Sequence, residues 1–229
     1  MQKGFVVAID GPVASGKGTI AHKLAMQLGG FDLYTGATYR SLALYCLEQQ
    51  IDFSDQEAIE GALSQVTIDL TLTQIILNGK DVTQRIKEED VASKSAVVSA
   101  LPLVRRAMVK RQQEIADRVI NDGKIVIAEG RDTGTVVFPD ASLKLYLTAS
   151  DEVRAQRRFA QYQKQGDTRD FAAVLEEIRE RDKRDTTRET DPLVSNPEEH
   201  GYVLLDNSAM DEEQTLAALM QVLEERKLL

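Results

Sequence analysis

The sequence predicts an α/β fold: a parallel sheet flanked by helices, with a small antiparallel insertion and a helical lid. Three observations carry that prediction. Apolar runs at residues 5–9, 124–128, 143–147 and 202–205 alternate with stretches of helical periodicity, the pattern of buried parallel strands joined by crossover helices. Residues 62–84 break this alternation with short period-two segments around Asn78-Gly79, a strong hairpin signal. Two helical stretches rich in arginine then follow the third apolar run, joined only by the polar turn Gln165-Gly166-Asp167-Thr168.

The elements follow in chain order. Residues 5–9 (Phe-Val-Val-Ala-Ile) read as a short buried strand, followed by a glycine-rich turn and a helix over 18–28. A second helix is expected over 36–49. Val66-Thr67-Ile68-Asp69-Leu70-Thr71-Leu72 alternates with period two, residues 74–77 form another short strand, and 85–100 look helical. A long helix over 99–121 precedes the strands at 124–128 and 143–147. Helices at 150–165 and 171–184, a strand at 202–205 and a helix at 211–226 complete the chain. Ligands of such folds sit beyond the C-terminal ends of the strands. Gly11, after the first strand, and Arg131-Asp132, after the second long apolar run, are therefore expected to share one crevice.

Composition narrows the function classes. The chain has 229 residues, 42% of them hydrophobic, enough for a packed core. Its net charge of −9 argues against sequence-independent binding to nucleic acid, which needs a basic face. The single cysteine, Cys46, lies in an apolar stretch and reads as a buried structural residue; one cysteine makes no internal disulfide and no zinc cluster. His22 and His200 are far apart and read as surface or boundary residues. The apolar run at 5–9 is too short for a signal core, and no segment approaches the ~20 apolar residues needed to span a bilayer. A soluble, cytoplasmic, monomeric protein with small-molecule partners is expected, binding neither membrane nor nucleic acid.

Gly11-Pro12-Val13-Ala14-Ser15-Gly16-Lys17-Gly18-Thr19 stands between the first strand and the first helix, the context required of a phosphate-binding loop. Loop N–H groups and the helix dipole favour an anion there. Lys17 brings a full positive charge to the outer phosphates, and the Thr19 hydroxyl can hold Mg2+. The strict pattern puts Ser or Thr directly after the lysine, whereas Gly18 intervenes here. A plain strand-to-helix turn is the other reading of Gly11 and Gly16; strand, spacing, lysine and hydroxyl together favour ATP. The fold class thus sharpens to a P-loop NTPase type.

The arginines are the second informative feature. Eight of the sixteen lie between 154 and 188, in an otherwise acidic chain. Arg154, Arg157 and Arg158 share one helix face; Arg181, Asp185 and Arg188 share another. A lid folding over phosphates and a solvated hairpin laced with salt bridges both fit this pattern, and the upstream loop favours the lid. The Asn-Lys-x-Asp guanine motif of switch GTPases is missing, since Asn78-Gly79-Lys80-Asp81 has the wrong spacing. A kinase with a phosphate-bearing acceptor fits better. Such an acceptor is already an anionic nucleophile, so catalysis reduces to positioning and electrostatic stabilisation, and no general base is required. A lid would exclude water that otherwise hydrolyses ATP.

The motifs carry a resemblance. The loop form Gly-x-x-x-x-Gly-Lys-Gly-Thr is that of nucleoside monophosphate kinases. Tyr34-Thr35-Gly36-Ala37-Thr38-Tyr39-Arg40, the string over 130–141 (Gly-Arg-Asp-Thr-Gly-Thr-Val-Val-Phe-Pro-Asp-Ala), and Arg181-Asp182-x-Arg184-Asp185-x-x-Arg188 resemble the bacterial cytidylate kinase family, essentially from end to end. The resemblance implies transfer of the γ-phosphoryl group of ATP to CMP or dCMP with Mg2+, in pyrimidine nucleotide metabolism. It implies that Arg40, Arg131 and Arg188 hold the CMP phosphate, that Arg105 and Asp132 recognise cytosine, and that Arg181 and Asp185 lie near the sugar hydroxyls. Thr35 and Tyr39 join that acceptor set. The catalytic set is Lys17, Arg131, Arg181 and Arg188. The ATP set is residues 11–19 with Arg157 from the lid entry. The implied division is core at 1–34, 101–153 and 185–229, a monophosphate-binding domain with its insertion at 35–100, and a lid at 154–184. Rival readings are a kinase acting on AMP, UMP or a shikimate-like acceptor, and a nucleotide-dependent binding protein without acceptor chemistry. Two departures stand out. Tyr34 occupies a position where the family usually has an aspartate, and the family's base-reading serine falls near Ala96, with Ser95 and Ser99 as candidate substitutes.

Overall fold

The computed structural model describes residues 4–229; the first three residues of the expected first core segment lie outside the described residues. Five parallel strands form the central sheet: β1 (Val6–Asp10), β2 (Phe31–Tyr34), β6 (Val126–Glu129), β7 (Leu143–Thr148) and β8 (Val203–Asp206), in the order β2-β6-β1-β7-β8. All five residues of β1 are buried, as expected of a central strand covered on both faces. The period-two geometry of the strands divides their side chains between two cores. Val7, Ile9, Ile127, Leu145 and Leu147 pack with Ile20 and Leu24 of α1 (Lys17–Leu28) and with Leu219 and Leu223 of α8 (Glu212–Glu225). Val6, Leu33, Val126 and Ala128 face the other way, toward α2 (Gly36–Glu48) and α5 (Pro102–Asn121). Every strand of this sheet runs in one direction, so Asp10, Tyr34 and Glu129 end at the same edge.

The antiparallel insertion is present as β3 (Ile68–Leu70), β4 (Ile75–Leu77) and β5 (Lys80–Asp81), paired in that order. Leu77 pairs with Lys80 across a two-residue turn in which Asn78 and Gly79 take φ of 48° and 80°, the left-handed pair that the Asn-Gly signal favours. Ile68, Leu70 and Leu77 join the core beneath α2, so the insertion is packed onto the scaffold. The arginine-rich hairpin is α6 (Asp151–Lys164) and α7 (Phe171–Thr187), with its own small core of Ala155, Tyr162, Val174 and Ile178. Ser150 and Asp170 cap the two helices by accepting the N–H groups of Val153 and Ala173.

Several elements differ from the expectation. β2 is a strand that the apolar pattern does not reveal, because only Phe31 and Leu33 of its four residues are buried. The short helix α3 (Gln56–Ala62), started by the Asp55 side chain, was not expected either. The stretch expected to be helical over 85–100 opens with a 3-10 turn at Arg85–Lys87 before α4 (Glu89–Val98) begins. Thr133–Val137 form one wide turn of π-helix, with hydrogen bonds from Val137 to Asp132 and from Phe138 to Thr133. Among the described residues no helix is long and apolar enough to cross a membrane.

Candidate active site

The loop after β1 is bent by its glycines and by Ala14, which sits at φ 57° without being glycine, local strain of the sort held at functional turns. At Gly11 (φ 145°) a Cβ would lie 2.1 Å from the carbonyl oxygen of Leu147, so glycine here permits the loop to pass β7. Gly16, at φ 92°, starts α1, and no side chain caps that N-terminus. The uncapped end opens on a cleft of about 760 Å³ lined by Val13, Ala14 and residues 16–19 of the loop. Gly11, Pro12 and Ser15 do not reach it; they shape the loop from behind. The Val13 N–H also turns away, donating to Asp182 Oδ1 of α7 at 2.9 Å.

Lys17 is only 5% exposed, and its Nζ donates to the Pro12 carbonyl at 2.6 Å and to Ser15 Oγ at 3.3 Å. Burial, and then the charge of Arg131, lower its pKa from 10.5 to about 7. A smaller cavity of about 460 Å³ adjoins the cleft between α6 and the segment 207–215. Arg157 forms its wall, donating to Asn207 Oδ1 at 3.0 Å and to the Asn207 carbonyl at 2.9 Å. Arg154 is spatially separate from that wall. It is buried, and bonded to Asp182 at 2.5 Å, Asp151 at 2.6 Å and the Val13 carbonyl at 2.9 Å, so it ties the lid hairpin to the loop.

The other end of the cleft gathers the remaining site candidates. Arg131 Nε donates to Asp185 Oδ2 at 2.7 Å, and Arg181 Nε lies 3.6 Å from Asp185 Oδ1. Arg105, 1% exposed, holds Asp132 with Nη2, Asp191 with Nε at 2.6 Å and the Ser99 carbonyl with Nη1 at 3.2 Å. Arg188 lies 3.3 Å from Asp132 Oδ1 and donates from Nε to the Asp191 carbonyl at 2.7 Å. Tyr39 is buried, with the Arg105 guanidinium 5.5 Å from its ring centroid. Arg40 donates to the Ile86 carbonyl at 3.0 Å. Thr35 takes over the turn: its hydroxyl donates to the Glu129 carbonyl at 2.8 Å, and its own carbonyl accepts from Thr38 Oγ1 at 2.8 Å. Ser95 and Ser99 both line the cleft, with their hydroxyls on the carbonyls of Ala92 and Ala96.

Burial and neighbouring cations push Arg181 and Arg188 below the usual guanidinium range. Burial alone would raise Asp185, yet Arg131 and Arg181 outweigh it and hold the carboxyl low. Burial raises Asp132 against the pull of Arg105 and Arg188. A crowded, partly dehydrated set of guanidinium groups of this kind is stabilised by any anion that enters.

Three carboxylates shape the site without having been found in the sequence. Asp10, completely buried, accepts from the N–H groups of Thr133 and Gly134 at 2.9 and 2.7 Å and from the Tyr202 hydroxyl at 2.7 Å, which pins the turn following Arg131-Asp132. Asp191, at φ 51°, organises Arg105 and Arg188 together. Glu129 ends β6, lines the cleft and has its Oε1 4.0 Å from where a Cβ on Gly18 would stand. The signal for Asp10 and Glu129 was available, since each is the polar residue closing an apolar run. That for Asp191 was not, because it depends on which loop meets α5. Among the described residues no cluster of three His, Cys, Asp or Glu forms a metal cage. Thr19 and Glu129 line the same cleft and bring oxygen donors of the kind Mg2+ takes, an ion that binds few protein oxygens and completes its shell with phosphates and water.

The family model described as "Cytidylate kinase" matches residues 7–225. A relative named "Cytidylate kinase" from Stutzerimonas stutzeri is 41% identical over 229 residues, covering 97% of this chain and 96% of its own. One of the same name from Caldanaerobacter subterraneus is 40% identical over 217 residues, covering 95% and 93%. A solved structure of an uncharacterized protein from Eubacterium ventriosum shares the fold at a TM-score of 0.55 and 13% identity, covering 97% of this chain and 99% of its own. With the family model spanning nearly the whole chain and such relatives matching it end to end, the chain belongs to the cytidylate kinase family.

Proposed function

We propose that the two ends of this one cleft are the donor and acceptor sites of an ATP-dependent phosphotransferase that converts CMP or dCMP and ATP to CDP or dCDP and ADP. The observation that carries the reading is Lys17 and the open N-terminus of α1 facing Arg131, Arg181 and Arg188 within the same 760 Å³ cleft. The loop N–H groups and Lys17 hold the outer phosphates of ATP, and the cavity beside Arg157 takes its base. Arg40, Arg131 and Arg188 hold the acceptor phosphate, Arg181 and Asp185 serve the sugar end, and Arg105 with Asp132 and Tyr39 bounds the base. Thr19 and Glu129 would hold Mg2+, which neutralises charge on the phosphates when bound.

Transfer then needs no proton abstraction, because the acceptor oxygen is already anionic. The protein's work is to bring two highly charged phosphates into line and to meet the transferring group with fixed positive charge in a site from which water is excluded. The division into core, acceptor-binding segment 35–100 and lid 154–184 follows from these roles. The acidic net charge of −9 fits a protein that keeps its cations inside a cleft and does not bind nucleic acid; its proposed setting is the cytoplasm, as a monomer away from membranes. A coupled assay of ADP release with CMP, dCMP, UMP and AMP tests the reading. CMP and dCMP should stimulate turnover well above UMP and AMP, and ATP hydrolysis unchanged by any acceptor would overturn it.

A further inference from the structure

Tyr34 ends β2, the edge strand beside β6, and it lines the cleft. Its ring lies over the start of α2. A Cβ on Gly36 would stand 2.6 Å from its Cε2 and 3.0 Å from both Cζ and the hydroxyl oxygen, so glycine at 36 gives the ring its seat. The Arg40 guanidinium carbon is 5.8 Å from the ring centroid, on an α2 whose N-terminus carries no side-chain cap. Ring and arginine therefore hold one another beside an uncapped helix end, a combination that favours an anion.

The hydroxyl is the unexplained group. Among the described residues it has no hydrogen-bond partner, and it feels the charges of Arg40, Arg131 and Arg181 as cations and of Glu129 as an anion. Burial raises its pKa above the ordinary phenol value, so it stays a neutral donor at working pH. If the ring served only to pack on Gly36, phenylalanine would fill the same seat; the hydroxyl of this half-buried residue instead stands on the wall of the cleft. A hydroxyl on the wall of the cleft that Arg40, Arg131 and Arg181 also line is placed for the ligand those arginines serve.

We propose that the Tyr34 hydroxyl donates a hydrogen bond to a phosphate oxygen of the bound nucleoside monophosphate, making Tyr34 a further acceptor-binding residue. The inference rests on the reading that this end of the cleft holds the acceptor phosphate. Two elements of the geometry give it its direction: the seat on Gly36 fixes where the ring lies, and the surrounding arginines mark where the phosphate arrives.

Tyr34→Phe removes the oxygen and keeps the ring. The test is titration of the full chain with CMP, competition with cytidine, which lacks the phosphate, and thermal melting without ligand. The expected result is a CMP dissociation constant raised about tenfold, as for loss of a hydrogen bond to a charged group. Cytidine affinity and melting temperature should stay as in the unsubstituted protein. Unchanged CMP affinity would overturn the proposal, and so would equal losses for CMP and cytidine. A melting temperature lowered by several degrees would overturn it too, by showing the hydroxyl already engaged within the fold. Failure of the broader reading looks different: the unsubstituted protein would then not phosphorylate CMP at all.

Discussion

Lys17 is the residue where burial and function meet most directly. Without a ligand its pKa is lowered to about 7, because burial and Arg131 both disfavour the ammonium. On the proposed donor-site reading, ATP phosphates beside it would favour the charged form, so binding would raise the pKa and draw in a proton whenever the pH lies above that value. Calorimetry in buffers of different ionisation heat should show proton uptake on ATP binding near pH 8 and little near pH 6. ATP affinity should fall as pH rises through about 7 and beyond, until the pKa of the bound state is reached. Lys17→Ala is expected to lower turnover by about 10²–10³ with folding intact; a folded variant with near-normal activity would remove Lys17 from the donor site. Asp132 bears on the acceptor base. Its carboxylate already serves Arg105 and Arg188, yet it lines the cleft with acceptor capacity left for the cytosine amino group. In Asp132→Ala the ratio of kcat/KM for CMP over UMP should collapse by about 1–3 kcal/mol. Equal losses for both substrates would reduce Asp132 to holding the arginines in place.

At the scale of elements, α7 joins the α6–α7 hairpin to the loop after β1. Asp182 accepts the Val13 N–H at 2.9 Å and Arg154 Nη1 at 2.5 Å, so one carboxylate joins the phosphate loop, α6 and α7. Asp182→Ala leaves Arg154 with Asp151 and two backbone carbonyls, and leaves the Val13 N–H without its partner. A loss of about 1–3 kcal/mol in stability is expected, read from the denaturant midpoint. A weakened KM for ATP should accompany it, since the loop loses its support; an unshifted KM would show that the loop keeps its shape without the lid helix. Reading these helices from the sequence worked because i, i+3 and i, i+4 spacing reports one face. The pairing of Arg154 with Asp182 could not be read, because it depends on how two helices pack.

For the whole molecule, the α6–α7 hairpin also reaches α4. Arg169, in the turn between α6 and α7, stacks 4.0 Å from the Tyr162 ring centroid, and its Nη2 lies 3.7 Å from Glu89 at the start of α4. The helix α7 thus touches both ends of the cleft, the loop after β1 through Asp182 and the opposite end through Arg181 and Asp185. Hydrogen exchange with ATP and a non-reacting CMP analogue bound together should slow most in α6, α7 and the turn at 165–170, and least in β1 and β6. Protection spread evenly over the chain would argue against a moving lid.

The sequence by itself determined the alternating α/β plan, the hairpin at Asn78-Gly79, the phosphate loop and the arginine supply, because each is a local pattern fixed by backbone periodicity or by the steric needs of a few adjacent residues. Tertiary structure decided what the arginines do. Arg154 went to hold the hairpin onto the loop, while Arg105 and Arg188 were gathered around Asp132 and Asp191. Asp10 became the anchor of the turn after Arg131-Asp132. A charged side chain takes its role from the partners that packing brings within a few ångströms and from the water that packing removes, and neither is written in its neighbours along the chain.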